Sequence, residues 1–238
     1  HSLELLEEDT GEIRRVYAEE MGFGYRDSAI KRFELSGLVI SIDLVLLRST
    51  PGSENTVPVK HEQLARALSC RLGDEVLAAS VRDSVIELRR SKGMVLDEND
   101  RDSWSSGSFF INPIVSAGFA RTLPADAPRF PLEGKRKTPR VLPLSQLHTV
   151  DQIEKYESDE GYVKISAAWL IEHSGIGRGF RLPGSGAQTS TKHSLAITNR
   201  GGANASDVAE LARFIIARVR SEYGVVLVPE PNLYGLEL

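Results

Sequence analysis

Cysteine is nearly absent from this 238-residue chain, with Cys70 standing alone. No internal disulfide can form and no cysteine-based metal set exists, which fits a reducing cytosol. Cys70 itself reads as a small core filler. Apolar runs of membrane-spanning length are missing, and no basic segment leads into an apolar one at the amino terminus, so neither a membrane partner nor export is expected. Charge of one sign is also lacking: the net charge is −4, the pI is near 5.8, and acidic and basic residues are interspersed. No whole-chain field therefore recruits nucleic acid. An initiator methionine is absent too; His1 opens directly into Ser2-Leu3-Glu4-Leu5-Leu6, which alternates like a strand in progress and suggests a fragment or a trimmed domain. What is present is a 41% hydrophobic content, enough for real cores in one large or two ordinary domains.

The pattern along the chain predicts an α+β fold of mixed strands, a few helices and two lobes. Residues 2–6 and 13–17 flank the acidic turn Glu7-Glu8-Asp9-Thr10-Gly11 and predict a hairpin. The β-rich run 38–47 predicts a central strand, followed by turn residues 49–55. Helical spacing covers 62–70 and, more strongly, 74–90, where Leu77, Val81, Val85 and Leu88 recur at steps of three and four and Gly93 occupies a C-terminal glycine position. Residues 97–106 are polar and read as a linker into a second domain. The proline- and charge-rich stretch 122–159, with Lys135-Arg136-Lys137, reads as a solvated irregular loop. Residues 163–173 predict a helix ending at Gly175, and the glycines beyond it fail the dinucleotide fingerprint. Residues 193–199 predict a strand. Asn204 is an N-cap, with Asp207 three positions on and Val208, Leu211, Ile215 and Val219 on one stripe. Gly224 stops that helix, 225–228 close as a strand, and Pro229-Glu230-Pro231 forms a stiff turn.

A few residues stand out chemically. In Gly107-Ser108-Phe109-Phe110-Ile111-Asn112-Pro113 the glycine permits close approach to the backbone, while Ser108 and Asn112 offer hydrogen bonds beside two anchoring aromatics. The same residues also suit a plain edge strand. Arg26, in Gly24-Tyr25-Arg26-Asp27-Ser28, either pairs with Asp27 at the surface or aims a planar fork at a carboxylate or phosphate. Arg89, Arg90 and Lys92 suit the negative end of a helix dipole and equally suit a diphosphate. Glu230 is either solvated or held in place by its two flanking prolines.

Taken in order, these motifs, with Ala168-Trp169-Leu170-Ile171-Glu172, Lys192-His193 and the late Gly235, resemble the UDP-N-acetylenolpyruvoylglucosamine reductases, the MurB family of peptidoglycan synthesis. The resemblance runs through nearly the whole chain. It implies NADPH-dependent, FAD-mediated reduction of an enolpyruvyl ether on a UDP-sugar. It implies Ser108 as proton donor to the carbon beside the carboxylate, Arg26 as the holder of that carboxylate, and Glu230 as a buried, proton-sharing partner of the developing acid-enol. Tyr25, Lys92, Asn112 and His61 would contact substrate, and Arg90 is assigned to the cofactor. Residues 1–102 would be the remaining part of an FAD-binding domain, 103–228 a smaller substrate-binding domain, and 229–238 a tail returning to the flavin domain.

The sequence departs from the family in three places. The glycine-rich FAD phosphate loop of the amino-terminal third is absent from these residues, so the chain alone is expected to hold FAD poorly. His61 stands where a subgroup places a tyrosine over the substrate, and the stretch 128–159 is longer than usual. Two other readings stay open: a nucleotide-sugar binding module without flavin chemistry, and a serine hydrolase using Ser108 with His193 or His173 as base. The hydrolase lacks a nucleophile elbow and an ordered acid partner.

Overall fold

The computed structural model describes residues 1–46, 55–132 and 161–238. Leu47, the predicted turn over 49–55 except Asn55, and the Lys135-Arg136-Lys137 loop lie outside those residues. The described chain is mixed α and β with small sheets, and its three-stranded sheets are antiparallel throughout. It forms two compact units, His1–Val57 with Glu75–Ala78, and Pro58–Asp74 with Ala79–Leu238. The first unit thus ends well before residue 102, and residues 97–104 belong wholly to the second.

In the first unit β1 (Ser2–Glu7) pairs with β2 (Ile13–Tyr17) and with β3 (Gly37–Asp43) in the order β2-β1-β3. The predicted hairpin is present. Among the described residues the run after residue 37 is not a central strand: β1 takes that place, and β3 is an edge on which Leu38, Ile40 and Ile42 are exposed. A run of β-formers specifies a strand but not its neighbours, because pairing is set by partners remote in sequence. Leu3, Leu5, Val16 and Met21 make the core of this unit.

The second unit holds α1 (Glu62–Ala67), α2 (Ala78–Ser91, whose first residue belongs to the first unit), β6 (Ser105–Ser108), β7 (Ile114–Ser116), α3 (Ala117–Ala120), β8 (Arg129–Pro131), β9 (Tyr162–Ile165), α4 (Ala167–His173), β10 (Ala187–Thr189), β11 (Ala196–Asn199) and α5 (Ala205–Tyr223). The remaining two strands, β4 (Thr56–Pro58) and β5 (Glu75–Leu77), pair with each other. β5 takes the first turn expected of the helix over 74–90, so α2 begins at Ala78. Its far end matches expectation closely: Gly93 adopts φ 69°, Met94 N–H donates to Arg89 and Gly93 N–H to Arg90, which is a Schellman cap. The helix predicted over 163–173 is likewise shortened, because Tyr162–Ile165 pairs with both β7 and β8, and Ser166 then caps α4 through Trp169 N–H. Cys70 is half-buried rather than a core filler.

The core of the second unit gathers Phe109, Phe110, Ile165, Leu170, Ile171, Leu211, Ile215 and Val219. α5 supplies the last three from one face, where they are fully buried, so the predicted stripe holds. Its start is a reciprocal capping box: Asn204 Oδ1 accepts from Asp207 N–H at 2.9 Å, and Asp207 Oδ2 accepts from Asn204 N–H at 3.0 Å. Asn204→Ala should cost about 1 kcal/mol, the usual worth of such a cap, read as a lowered denaturant midpoint at unchanged m-value.

Candidate active site

Ser108 ends β6, an edge strand in the sheet β10-β11-β6, and is half-buried. Its position is fixed from two directions. Ala196 of β11 pairs with Ser108, and Phe109 N–H donates to Leu195 O at 2.7 Å. On the carboxyl-terminal side, Ile111 N–H donates to Val228 O at 3.0 Å and Glu230 N–H to Phe109 O at 2.8 Å. The closing segment expected over 225–228 is therefore no regular strand; it meets Phe110 in one bridge at Pro229. Phe109 and Phe110 are buried, edge to face at 5.1 Å, and anchor the strand as expected. Gly107 adopts φ 83° with nothing within 4 Å of where a Cβ would stand, so the approach to the backbone beside Ser108 is open.

Glu230 is one backbone hydrogen bond away from the residue after Ser108. It is exposed, which corrects the burial expected for it: the bridge at Pro229 fixes the backbone but covers little of the side chain. Asn112 directs its side-chain oxygen to Ala167 N–H at 2.9 Å, satisfying one of the first orphan donors of α4. That use of the oxygen leaves its Nδ2 as the group able to face a ligand.

The residue sequence reasoning treated least fully is His193. Its Nε2 lies 3.4 Å from Ser108 Oγ. The turn that carries it is tightly made: Ser190 Oγ accepts from the N–H groups of Lys192 and His193, and Ser190 N–H donates to Ala196 O. A second tie comes from residues 97–104, which corrects the reading of 97–106 as a linker, its last two residues opening β6. They form a 3₁₀ turn, Arg101–Ser103, with Asp102 and Ser103 buried. Asp102 accepts from Thr191 N–H at 2.8 Å and from Thr191 Oγ, while Lys192 Nζ reaches Asp100 at 2.7 Å. Burial pushes the Asp102 carboxyl up, but hydrogen bonds from Thr191 and Ser190 and the charge of Arg200 outweigh it, leaving Asp102 below the usual carboxylate range. Closely spaced aspartates and short polar residues, Asp97, Asn99, Asp100, Asp102 and Ser103, were the available signal for such a turn.

Lys92, just past α2, bonds Gln63 Oε1 at 2.9 Å. Gln63 lies two residues after His61, which is exposed at the N-cap of α1 without a side-chain cap bond. The link brings His61 and Lys92, remote in sequence, to one neighbourhood. Burial lowers the His193 pKa first, then the charges of Lys92 and Arg178, with Glu172 opposing. Arg90 pairs with Glu87 along α2 at 2.6 Å. His173 does not reach Ser108; it stacks on Trp169 at 4.0 Å and its Nδ1 lies 2.9 Å from Trp169 O.

Tyr25 and Arg26 belong to the first unit. They occupy the tip of a turn closed by backbone bonds in both directions between Gly24 and Asp27. Arg26 is exposed and adopts φ 57°. The Asp27 carboxylate accepts from Arg32 at 2.7 Å.

Fold and site define a mixed α and β protein with small sheets and a serine–histidine pair at the end of β6. Residues 99–234 match the family described as UDP-N-acetylenolpyruvoylglucosamine reductase, C-terminal domain. The chain belongs to that family. It is 49% identical over 242 residues to a UDP-N-acetylenolpyruvoylglucosamine reductase of Leifsonia xyli, covering 99% of this chain and 63% of that protein. A namesake from Saccharopolyspora erythraea is 41% identical, covering 100% of this chain and 59% of that protein. The chain thus spans about three fifths of the length of the curated relatives it matches. A crystal structure of the Thermus caldophilus reductase, MurB, aligns at 20% identity and TM-score 0.44, covering 95% of this chain and 50% of that one. Among the described residues no helix is long and apolar enough to cross a membrane.

The lowered pKa of His193 means the unfolded chain binds its proton more readily than the folded one. Its contribution to stability is therefore present above the unfolded value near 6.5 and is lost as pH falls through the folded value. Lys92→Met should move the His193 titration upward in an NMR pH series, since one of the two cations opposing its charge is gone.

Proposed function

We propose that this chain carries the catalytic and substrate-binding part of an FAD-dependent, NADPH-using reductase that converts UDP-N-acetylglucosamine enolpyruvate to UDP-N-acetylmuramate in peptidoglycan synthesis. The observation that carries the reading is the joint fixing of Ser108 and Glu230, through Phe109, in a segment matching the family. Functionally, residues 1–102 would serve the flavin side, 103–228 the substrate, and 229–238 would return to the flavin. The family membership, not the geometry alone, selects the substrate.

The open approach at Gly107 fits a flat ring or a substrate chain lying against the backbone beside Ser108, and Arg90 offers a guanidinium for a cofactor phosphate. FAD, reduced by NADPH, would supply the hydride to the terminal vinyl carbon. This chain's residues would do the rest. Ser108 would give its Oγ proton to the carbon next to the carboxylate, a centre basic enough to take a proton from an ordinary hydroxyl. Arg26 would grip the substrate carboxylate in a bidentate pair and stabilise the charge growing there. Glu230 would share the acid-enol proton. Lys92, Asn112 Nδ2 and Tyr25 would hold the diphosphate and its neighbours, and His61 would stack on uridine or meet a phosphate.

The decisive measurement separates two half-reactions in the holoenzyme by stopped flow. Ser108→Ala should leave flavin reduction by NADPH nearly unchanged and slow reoxidation by the enolpyruvyl substrate by roughly 10²-fold or more, the scale lost with a positioned acid. Equal loss in both halves would remove Ser108 from this role. Arg26→Lys should also slow reoxidation, because a point charge cannot replace the fork. A full-length protein that is colourless yet binds UDP-sugar tightly would favour the binding module instead.

A further inference from the structure

The contact between Ser108 Oγ and His193 Nε2, 3.4 Å apart, has two chemical meanings, depending on which atom donates. If imidazole accepts, serine becomes a nucleophile with its base, as in a hydrolase. If imidazole donates, the serine oxygen is already occupied by a hydrogen bond and its own proton is free to point elsewhere. The surroundings discriminate between the two. A general base must gain positive charge as it takes the serine proton, and it is normally supported by a carboxylate on its far nitrogen. Burial opposes positive charge on His193 first, and the charges of Lys92 just past α2 and Arg178 in the loop after α4 oppose it next; among the described residues Glu172 of α4 works the other way. Glu172 is itself engaged by Arg178 at 3.4 Å. A ring so placed is a poor base and remains a serviceable neutral donor.

We propose that His193 is a positioning residue for Ser108: its Nε2–H donates to Ser108 Oγ, turns the single hydroxyl proton toward the reacting carbon, and supports the oxygen as that proton leaves. The inference rests on the proton-donor reading of Ser108. In the step itself the Oγ–H bond breaks with its electron pair remaining on oxygen. The proton forms a C–H bond with the electron pair of the carbanionic carbon, and a solvent proton restores the hydroxyl. His193 keeps its proton throughout. The geometry is built for this purpose from two independent ties, since β11 pairs with β6 through Ala196 and Ser108 while Asp102 grips Thr191, two residues before the ring. The 3.4 Å spacing is long for a hydrogen bond between these atoms, so closing it by a few tenths of an ångström is what the proposal requires.

The test uses the holoenzyme and two substitutions. His193→Phe keeps a ring but has no donor, whereas His193→Gln places an amide N–H near the position of Nε2. Reoxidation at saturating enolpyruvyl substrate should slow roughly 10-fold or more in His193→Phe, less than the roughly 10²–10³ lost with a donor that meets the reacting oxyanion directly. It should recover most of its rate in His193→Gln, with flavin reduction by NADPH unchanged in both. Adding His193→Phe to Ser108→Ala should cost nothing further, because the two act as one unit. Wild-type reoxidation in His193→Phe overturns the proposal, as does equal slowing by Phe and Gln, which would make the ring mere packing. Should His193→Phe fail to fold, ¹⁵N shifts of the His193 ring in the wild-type holoenzyme decide: a protonated Nε2 supports donation, and a bare Nε2 overturns it. If Ser108→Ala itself reoxidises at the wild-type rate, the proton-donor reading fails first, and the ring tautomer still reports which way the His193–Ser108 bond runs.

Discussion

The buried carboxylate of Asp102 is the constraint on which the candidate site depends. It joins two segments 89 residues apart by accepting both the backbone and the hydroxyl of Thr191, and so ties the turn between β10 and β11 to the segment before β6. Burying a carboxylate is costly unless its lone pairs are met. Here Thr191 and Ser190 meet them, and Arg200 stands 3.5 Å away as a countercharge. The result is a lowered pKa, so the stabilisation is present above the unfolded value of about 3.9 and vanishes as pH falls through the folded one. Gly93 is tied to the same spot: a Cβ there would stand 2.8 Å from Asp102 O. The end of α2, and with it Lys92, is thereby set against the segment that orients His193.

Once that turn is held, a short piece of strand does the remaining work. Phe109 donates its N–H to Leu195 and accepts at its C=O from Glu230, so one residue's backbone connects the histidine turn, the serine and the glutamate segment. Burial of Phe109 and Phe110 in the core keeps this three-way junction from fraying, although β6 is an edge strand and would otherwise be free to slip. The hydroxyl gains exposure from the edge and rigidity from the aromatics. Neither alone would make it a usable donor.

How much of this was legible in the sequence depended on whether the signal was local. The α5 capping box, the Gly93 stop and the first hairpin are each written within a few residues, and the structure has them. The errors fell where partners are distant. Tyr162–Ile165 continues the helical spacing of residues 167–173, yet it is a strand because β7 and β8 lie on either side of it. Residues 97–104 look like a linker by composition, and only the contact with Thr191 shows why so many short acidic residues stand there. At the site, Ser108 and Glu230 could be named from motif resemblance, but their junction through Phe109 could not. His193 was visible in the Lys192-His193 motif and as a conceivable base, but not as a donor, since donor and acceptor roles differ by a proton that no sequence records.

The backbone at Arg26 adds one more argument. A left-handed conformation costs a non-glycine residue roughly 1–2 kcal/mol, and glycine at the third position of such a turn would relieve it. Positive φ alone marks nothing, since Phe33 and Ser69 share it. Arg26 differs because Gly24 and Asp27 bond each other in both directions around it, so the turn closes over two residues and sets Arg26 at its tip. Arg32 also donates to the Asp27 carboxylate, at 2.7 Å, which ties the turn to the residues after it. A long charged side chain kept at a position that favours glycine, in a turn that is otherwise complete, breaks a local rule of turn chemistry. Such breaks persist only where the surrounding structure holds them, and here the paired backbone bonds between Gly24 and Asp27 do the holding.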